Sequence, residues 1–174
     1  TTLFRSLTLN SNTTNHNLSI SNIPITNLSS IADLGITIDL DLNFKIHIHQ
    51  IVTRAKQRAS LIHRCFISRK VSYLVRAFKT YVRPLLEYAT QVWSPHHVTL
   101  VNLLESVQRS FTKRIPGCAN LSYAERLSKL QLQSLEHRRL LADLALCFNI
   151  VHGLIALSFD DFFTRSNYFS TRVH

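Results

Sequence analysis

Histidine, cysteine and aspartate are the side chains here that could hold a metal or carry an acid–base step, and they fall in a few places. Ile46-His47-Ile48-His49, with His63 and Cys65 further on, offers imidazole and thiolate groups to zinc. Zinc needs three or four converging ligands, and histidines at i,i+2 on a helix point apart, so no metal site is expected. His96 and His97 follow Pro95 in a turn and read the same way. Asp160 and Asp161, in the run FDDFF, would have to hold two cations about 3.5 to 4 Å apart on a rigid frame. With no strand pattern beside them, they read as a surface acidic turn. Gly35, Gly117 and Gly153 are the only glycines, too few for a phosphate-cradling loop, and no Ser, His and Asp stand in a recognisable nucleophile context.

Cations carry the stronger signal. Twenty Lys and Arg against ten Asp and Glu give a formal charge of +10, which favours polyanionic partners. Between Arg54 and Arg139 sixteen basic residues stand against four glutamates, so the excess sits in one part of the chain. Arg69, Arg76 and Arg83 recur every seven residues with Lys79 beside them, a line opposite an apolar stripe and about 20 Å long on a helix. Such a line either follows the phosphates of a nucleic-acid strand or is a solvated helix face. Glu105 with Arg109, and Arg139 with Glu136 and Asp143, stand at ordinary helix-pair spacings and are assigned to structure.

The elements that must position these residues follow from periodicity. Residues 1–43 read as a β segment: Asn-, Ser- and Thr-rich edge pieces, then Asp33 to Leu42 with a period of two and a glycine that permits a bend. Residues 44–157 read as a helical domain, and residues 158–174 as a loose tail. Ile48, Ile51, Val52, Ala55, Ala59, Ile62 and Phe66 share one sector of a first helix. A second stripe, Val71, Leu74, Val75, Phe78, Val82, Leu85, Ala89 and Val92, stays in phase through Pro84, which predicts a kinked helix. A third helix covers about 100–115 and ends at Pro116-Gly117. Ser122 with Glu125 forms a capping-box pattern, and a last helix runs over about 135–152, with Ser134 as cap and Gly153 as terminator. The apolar run 140–159 carries Asp143, whose central placement costs about 3 kcal/mol in a bilayer, so a buried helix is expected there. The fold class is mainly α: a helical, thumb-like bundle with a short N-terminal β hairpin.

Four segments in order, DLGITIDLDLNFKIHI, YVRPLLEYATQVWSP, LLESVQRSFTKRIPG and YAERLSKLQLQSLEHRRLLADLALCFNIVHG, resemble the C-terminal part of reverse transcriptases from non-LTR (LINE-like, jockey-type) retrotransposons. The resemblance covers about 31–153. It implies a primer-grip role for Leu34, Gly35 and Ile36, and a thumb that holds RNA/DNA or DNA duplex by its backbone, with Arg69, Arg76, Lys79 and Arg83 as candidate contacts. Pro84, Leu86, Glu87, Tyr88 and Trp93 match that family's RP-x-LEY…W signature. They read as scaffold, with Tyr88 and Trp93 expected in the core.

The resemblance also implies a missing centre. The catalytic aspartates and the Mg²⁺ they bind belong to a palm upstream of the primer grip, and no acid precedes Asp33. No cofactor and no polymerisation are therefore expected of this chain alone, and the absent palm and fingers are candidate partners. The lack of methionine agrees with a fragment of a longer chain. A helical partner-binding or membrane-surface module, or the product of a degenerate element, are the other readings the sequence leaves open. Three widely spaced cysteines and no secretory signal point to an intracellular compartment, nuclear or cytoplasmic.

Overall fold

The change of period at Phe44 is where strand gives way to helix. The computed structural model describes residues 5–7, 19–20, 23–24 and 26–164, and the expectations for the other early residues and for 165–174 lie outside that set. Two-residue pairings come first: β1 (Arg5–Ser6) runs parallel to β4 (Thr26–Asn27), and β2 (Ser19–Ile20) antiparallel to β3 (Ile23–Pro24). β5 (Ser30–Asp33) and β6 (Ile36–Asp39) then form an antiparallel hairpin in which Asp33 faces Ile36 and Ile31 faces Ile38. Its two turn residues, Leu34 and Gly35, both have positive φ (45° and 85°). A two-residue hairpin needs that geometry to match strand twist, and glycine adopts it without strain.

The Ile48–Ile62 stripe folds as α1 (Lys45–Cys65), with every one of its residues buried and Phe66 half-buried after it. Asp39 is buried and accepts the Asn43 N–H at 2.9 Å, while the Asn43 side chain accepts the Lys45 N–H at 3.0 Å. These side chains supply the acceptors at the approach to α1 that water or a conventional cap would otherwise supply.

The second stripe is where structure and sequence pattern part. α2 (Val71–Ala77) runs into a single π turn, Phe78–Val82, and then into α3 (Arg83–Glu87). Pro84 accounts for this: it has no N–H to give Thr80, and its ring would strike that carbonyl in a regular helix. In the π turn the Arg83 N–H bonds back to Phe78 instead. One residue more than an α-helix allows is thereby absorbed, and every later position rotates by about 100°. The expected stripe Leu85, Ala89, Val92 is replaced by Leu86, Thr90 and Trp93, which are 0%, 1% and 1% exposed. A further break follows at Tyr88 and at Ala89 (φ 52°) before α4 (Thr90–Trp93), so the kinked helix does end short of Val92.

α5 (Val98–Lys113), α6 (Tyr123–Leu130) and α7 (Leu135–Val151) complete the fold. α5 lies against α1, and Phe111 of α5 stacks between Phe78 and His63 with ring centroids 4.7 and 4.4 Å away. Both halves of the capping box form: the Ser122 N–H donates to Glu125 at 2.7 Å, and the Glu125 N–H donates to the Ser122 hydroxyl at 3.3 Å. The Ser134 hydroxyl accepts the His137 N–H at 3.1 Å, and Gly153 (φ 64°) ends α7.

The fold is mainly helical with a short antiparallel hairpin, as the periodicity predicts. One correction concerns α7. Leu140, Leu141, Leu144, Phe148 and Val151 are exposed, and the side that packs on its neighbours carries Leu135, Arg139 and Ile150. A helix that is apolar almost all round does not say which face it buries.

Candidate nucleic-acid interface

The hairpin turn that carries Leu34, Gly35 and Ile36 is anchored from two sides. Ile36 is buried against the core, while Leu34 is 83% exposed at the tip. The Tyr88 hydroxyl donates to the Leu34 carbonyl at 3.1 Å, and the Trp93 indole N–H donates to the Tyr88 carbonyl at 2.8 Å. On the other side the Thr37 N–H donates to His47 Nδ1 at 3.2 Å, and the His47 ring meets Trp93 edge-on at 5.3 Å. Trp93 is core as expected. Tyr88 is not: it is 58% exposed, because its ring leans on Gly35 and its hydroxyl reaches the turn.

The rest of the signature fastens α3. Leu86 is fully buried. Arg138 of α7 grips Glu87 through Nε at 2.5 Å and Nη2 at 3.0 Å, the two-pronged geometry a guanidinium offers a carboxylate. The same carboxylate lies 3.6 Å from Arg83. Arg83 is therefore engaged and only 21% of its side chain is exposed.

Of the other candidate contacts, Arg69 and Arg76 are exposed and Lys79 half-buried. They do not form one straight line, since Arg69 precedes α2 and the π turn rotates Arg83 away from Arg76. What the seven-residue spacing did not reveal is plainer in a longer window. From Leu42 to Leu86 the chain carries Lys45, Arg54, Lys56, Arg58, Arg64, Arg69, Lys70, Arg76, Lys79 and Arg83 and no Asp or Glu. α1, α2 and the π turn thus present cations with no carboxylate of their own to neutralise them.

Between α5, α6 and α7 lies a buried polar cluster whose partners pair spacing misassigned. Glu105 is 5% exposed and does not pair with Arg109. Its carboxylate accepts the Leu135 N–H at 3.0 Å, the Glu136 N–H at 3.3 Å and the Tyr123 hydroxyl, closing the open donors at the start of α7. Burial, and then the bond to Glu105, push the Tyr123 hydroxyl pKa up, so Tyr123 remains a donor. Arg139, assigned to ordinary helix pairs with Glu136 and Asp143, is 3% exposed. Burial lowers its pKa against the opposing pull of Glu105, Glu136, Asp143 and Glu87.

Two imidazoles make the fold sensitive to acid. Burial lowers the pKa of His47 below its ordinary 6.5, with Arg54 adding to the effect. Burial also lowers that of His63, helped by Arg114 and Arg69 and opposed by the bond to the Phe111 carbonyl. The unfolded chain takes up these protons near pH 6.5, and the folded chain only below it. Stability is therefore whole above pH 6.5 and is lost as pH falls through 6.5 toward the folded values. Urea melts at pH 7.5 and 5.5 are expected to give the lower midpoint at 5.5, with His63→Leu reducing the difference. Equal midpoints would mean that neither imidazole is held neutral.

Among the described residues no group of three or more His, Cys, Asp or Glu converges, and Asp160 and Asp161 are exposed on a single 3-10 turn, Phe159–Asp161. No helix among them is long and apolar enough to cross a membrane. No family model matches the chain, and no solved structure does. An uncharacterized protein of Caenorhabditis elegans is 32% identical over 128 residues, 72% of this chain. The match spans 65% of that protein, just under two thirds of its length.

Proposed function

We propose that this chain is the primer-grip and thumb part of a non-LTR retrotransposon reverse transcriptase, holding template–primer duplex through phosphate contacts without sequence preference. The observation that carries the proposal is the stretch from Leu42 to Leu86, which has no Asp or Glu and places nine cations, besides the paired Arg83, on and around α1 and α2. Phosphate binding is charge-driven, and a stretch with no carboxylates of its own adds no repulsion of a polyanion. The hairpin turn tied to Tyr88 agrees with a grip held against the thumb, its Leu34 side chain free to meet a strand. Nucleotide transfer belongs to the upstream palm of the parent enzyme, so the chain alone binds and does not polymerise.

Binding to an RNA/DNA duplex, followed by fluorescence anisotropy, is expected to weaken linearly in log–log form as salt rises. Arg69→Ala with Arg76→Ala should reduce the slope by up to about two units, at about 0.9 per phosphate contact. Arg83→Ala should leave it nearly unchanged, since its guanidinium already faces Glu87. No salt-dependent binding by the folded protein would end this reading. The exposed apolar face of α7 favours a second one, a module that binds a protein partner such as the remainder of the same polymerase.

A further inference from the structure

Where α1 ends and α2 begins, Phe66, Tyr73, Arg76, Ala77, Thr80 and Tyr81 line a cleft of about 320 Å³. Tyr73 and Tyr81 are 50% and 54% exposed, so each keeps half its surface in water beside an arginine. Lys70 stands over the Tyr73 ring with its ammonium 5.6 Å from the centroid. Single exposed tyrosines are ordinary; convergence of three aromatic residues and a guanidinium on one cleft is not.

The π turn brings the tyrosines together. Eight residues separate Tyr73 from Tyr81, which in an unbroken α-helix would set them about 80° apart. The residue absorbed in the π turn reduces this to about 20°, so both fall on one face. Their separation along the axis is about 10 Å, close to three base-stacking steps of about 3.4 Å. The cleft also lies inside the acid-free stretch, with Arg69, Lys70 and Arg76 close by in the chain to meet phosphate. Aromatic faces set into a cationic surface bind unpaired nucleobases, since every base has a π face and every linkage a charge.

We infer that this cleft binds unpaired bases of a single-stranded nucleic acid, stacked on Tyr73 and Tyr81 with an adjoining phosphate on Arg76. This extends the duplex-holding function and rests on it, since paired bases inside a duplex cannot enter the cleft. A strand running on from the duplex is the ligand it fits.

The test uses the full chain and three labelled probes: a blunt RNA/DNA duplex, the same duplex with a four-nucleotide single-stranded extension, and that extension made abasic. The extended probe should bind on the order of tenfold tighter than the blunt one, and the abasic probe, whose phosphates are unchanged, should lose that gain. Tyr73→Ala with Tyr81→Ala should abolish the gain while leaving blunt-duplex affinity intact, and Tyr73→Phe with Tyr81→Phe should retain it. Circular dichroism of each variant shows that it is folded. A gain that survives the abasic extension, or the double alanine variant, would overturn base stacking and leave only phosphate contacts. Blunt-duplex binding with no gain from any extension would overturn the cleft and leave the duplex reading standing. Failure of every probe at low salt would overturn both, leaving a Tyr- and Arg-lined cleft suited to a protein partner.

Discussion

Glu105→Ala is expected to lower the unfolding free energy by about 3 to 5 kcal/mol, a large fraction of the about 5 to 15 that holds a domain together. The carboxylate serves as cap for a helix it does not belong to. Its removal leaves the Leu135 and Glu136 N–H groups and the Tyr123 hydroxyl without this acceptor, the buried Leu135 N–H above all. It also removes an anion from the surroundings of the buried Arg139. In a chain of 174 residues this loss corresponds to a fall in Tm on the order of 10 °C, measurable by calorimetry. Glu105→Gln, which keeps an acceptor but turns an NH₂ toward donors, should fall between the two. A stability change below about 1 kcal/mol for Glu105→Ala would mean that α7 docks without this cap.

Trp93→Ala should cost a similar amount, about 3 to 5 kcal/mol, for a different reason. Trp93 is the largest fully buried side chain, and its loss opens a cavity beside His47. Its indole N–H also fixes the Tyr88 carbonyl, and Tyr88 in turn holds the turn at Leu34. Trp93→Phe separates the two contributions. It retains most of the ring and removes the N–H, so the expected cost is smaller, while amide hydrogen exchange at 34–37 should speed up relative to α1. If Trp93→Ala destabilised the protein without loosening those amides, Trp93 would be packing alone and not an anchor for the hairpin.

The parts of the fold that periodicity described well are those governed by neighbours in sequence. The stripe of α1, the Ser122–Glu125 box, the Ser134 cap and Gly153 each depend on residues within a few positions. The hairpin belongs with them only in part: the alternation over Asp33 to Leu42 and its glycine pointed to a strand or hairpin, but counted Leu34 within the run, whereas the structure puts Leu34 and Gly35 in the turn between Asp33 and Ile36. What the pattern did not disclose depends on events it cannot count. Pro84 announces a disturbed helix but not that a π turn will absorb a residue, and that one residue moved the buried set from Leu85, Ala89 and Val92 to Leu86, Thr90 and Trp93.

The candidate interface divides in the same way. A basic surface was visible from charge alone, whereas the engagement of Arg83 by Glu87 required Arg138 of α7 to be brought across the fold. Glu105 looked like half of a local ion pair because Arg109 stands four residues on, and nothing local says that Leu135 will arrive with open N–H groups. Tyr88 was placed in the core for being aromatic near a kink. Its exposure follows from a hydroxyl that reaches back 54 residues to a carbonyl.

The stretch from Leu42 to Leu86 has one more effect. Nine like charges on neighbouring segments, Arg83 being held by Glu87, push against one another whenever no polyanion lies over them, and mobile ions relieve that pressure within about a Debye length. Those same ions displace the protein from phosphate. Ionic strength therefore acts in two opposed senses, firming the free molecule while loosening its complex.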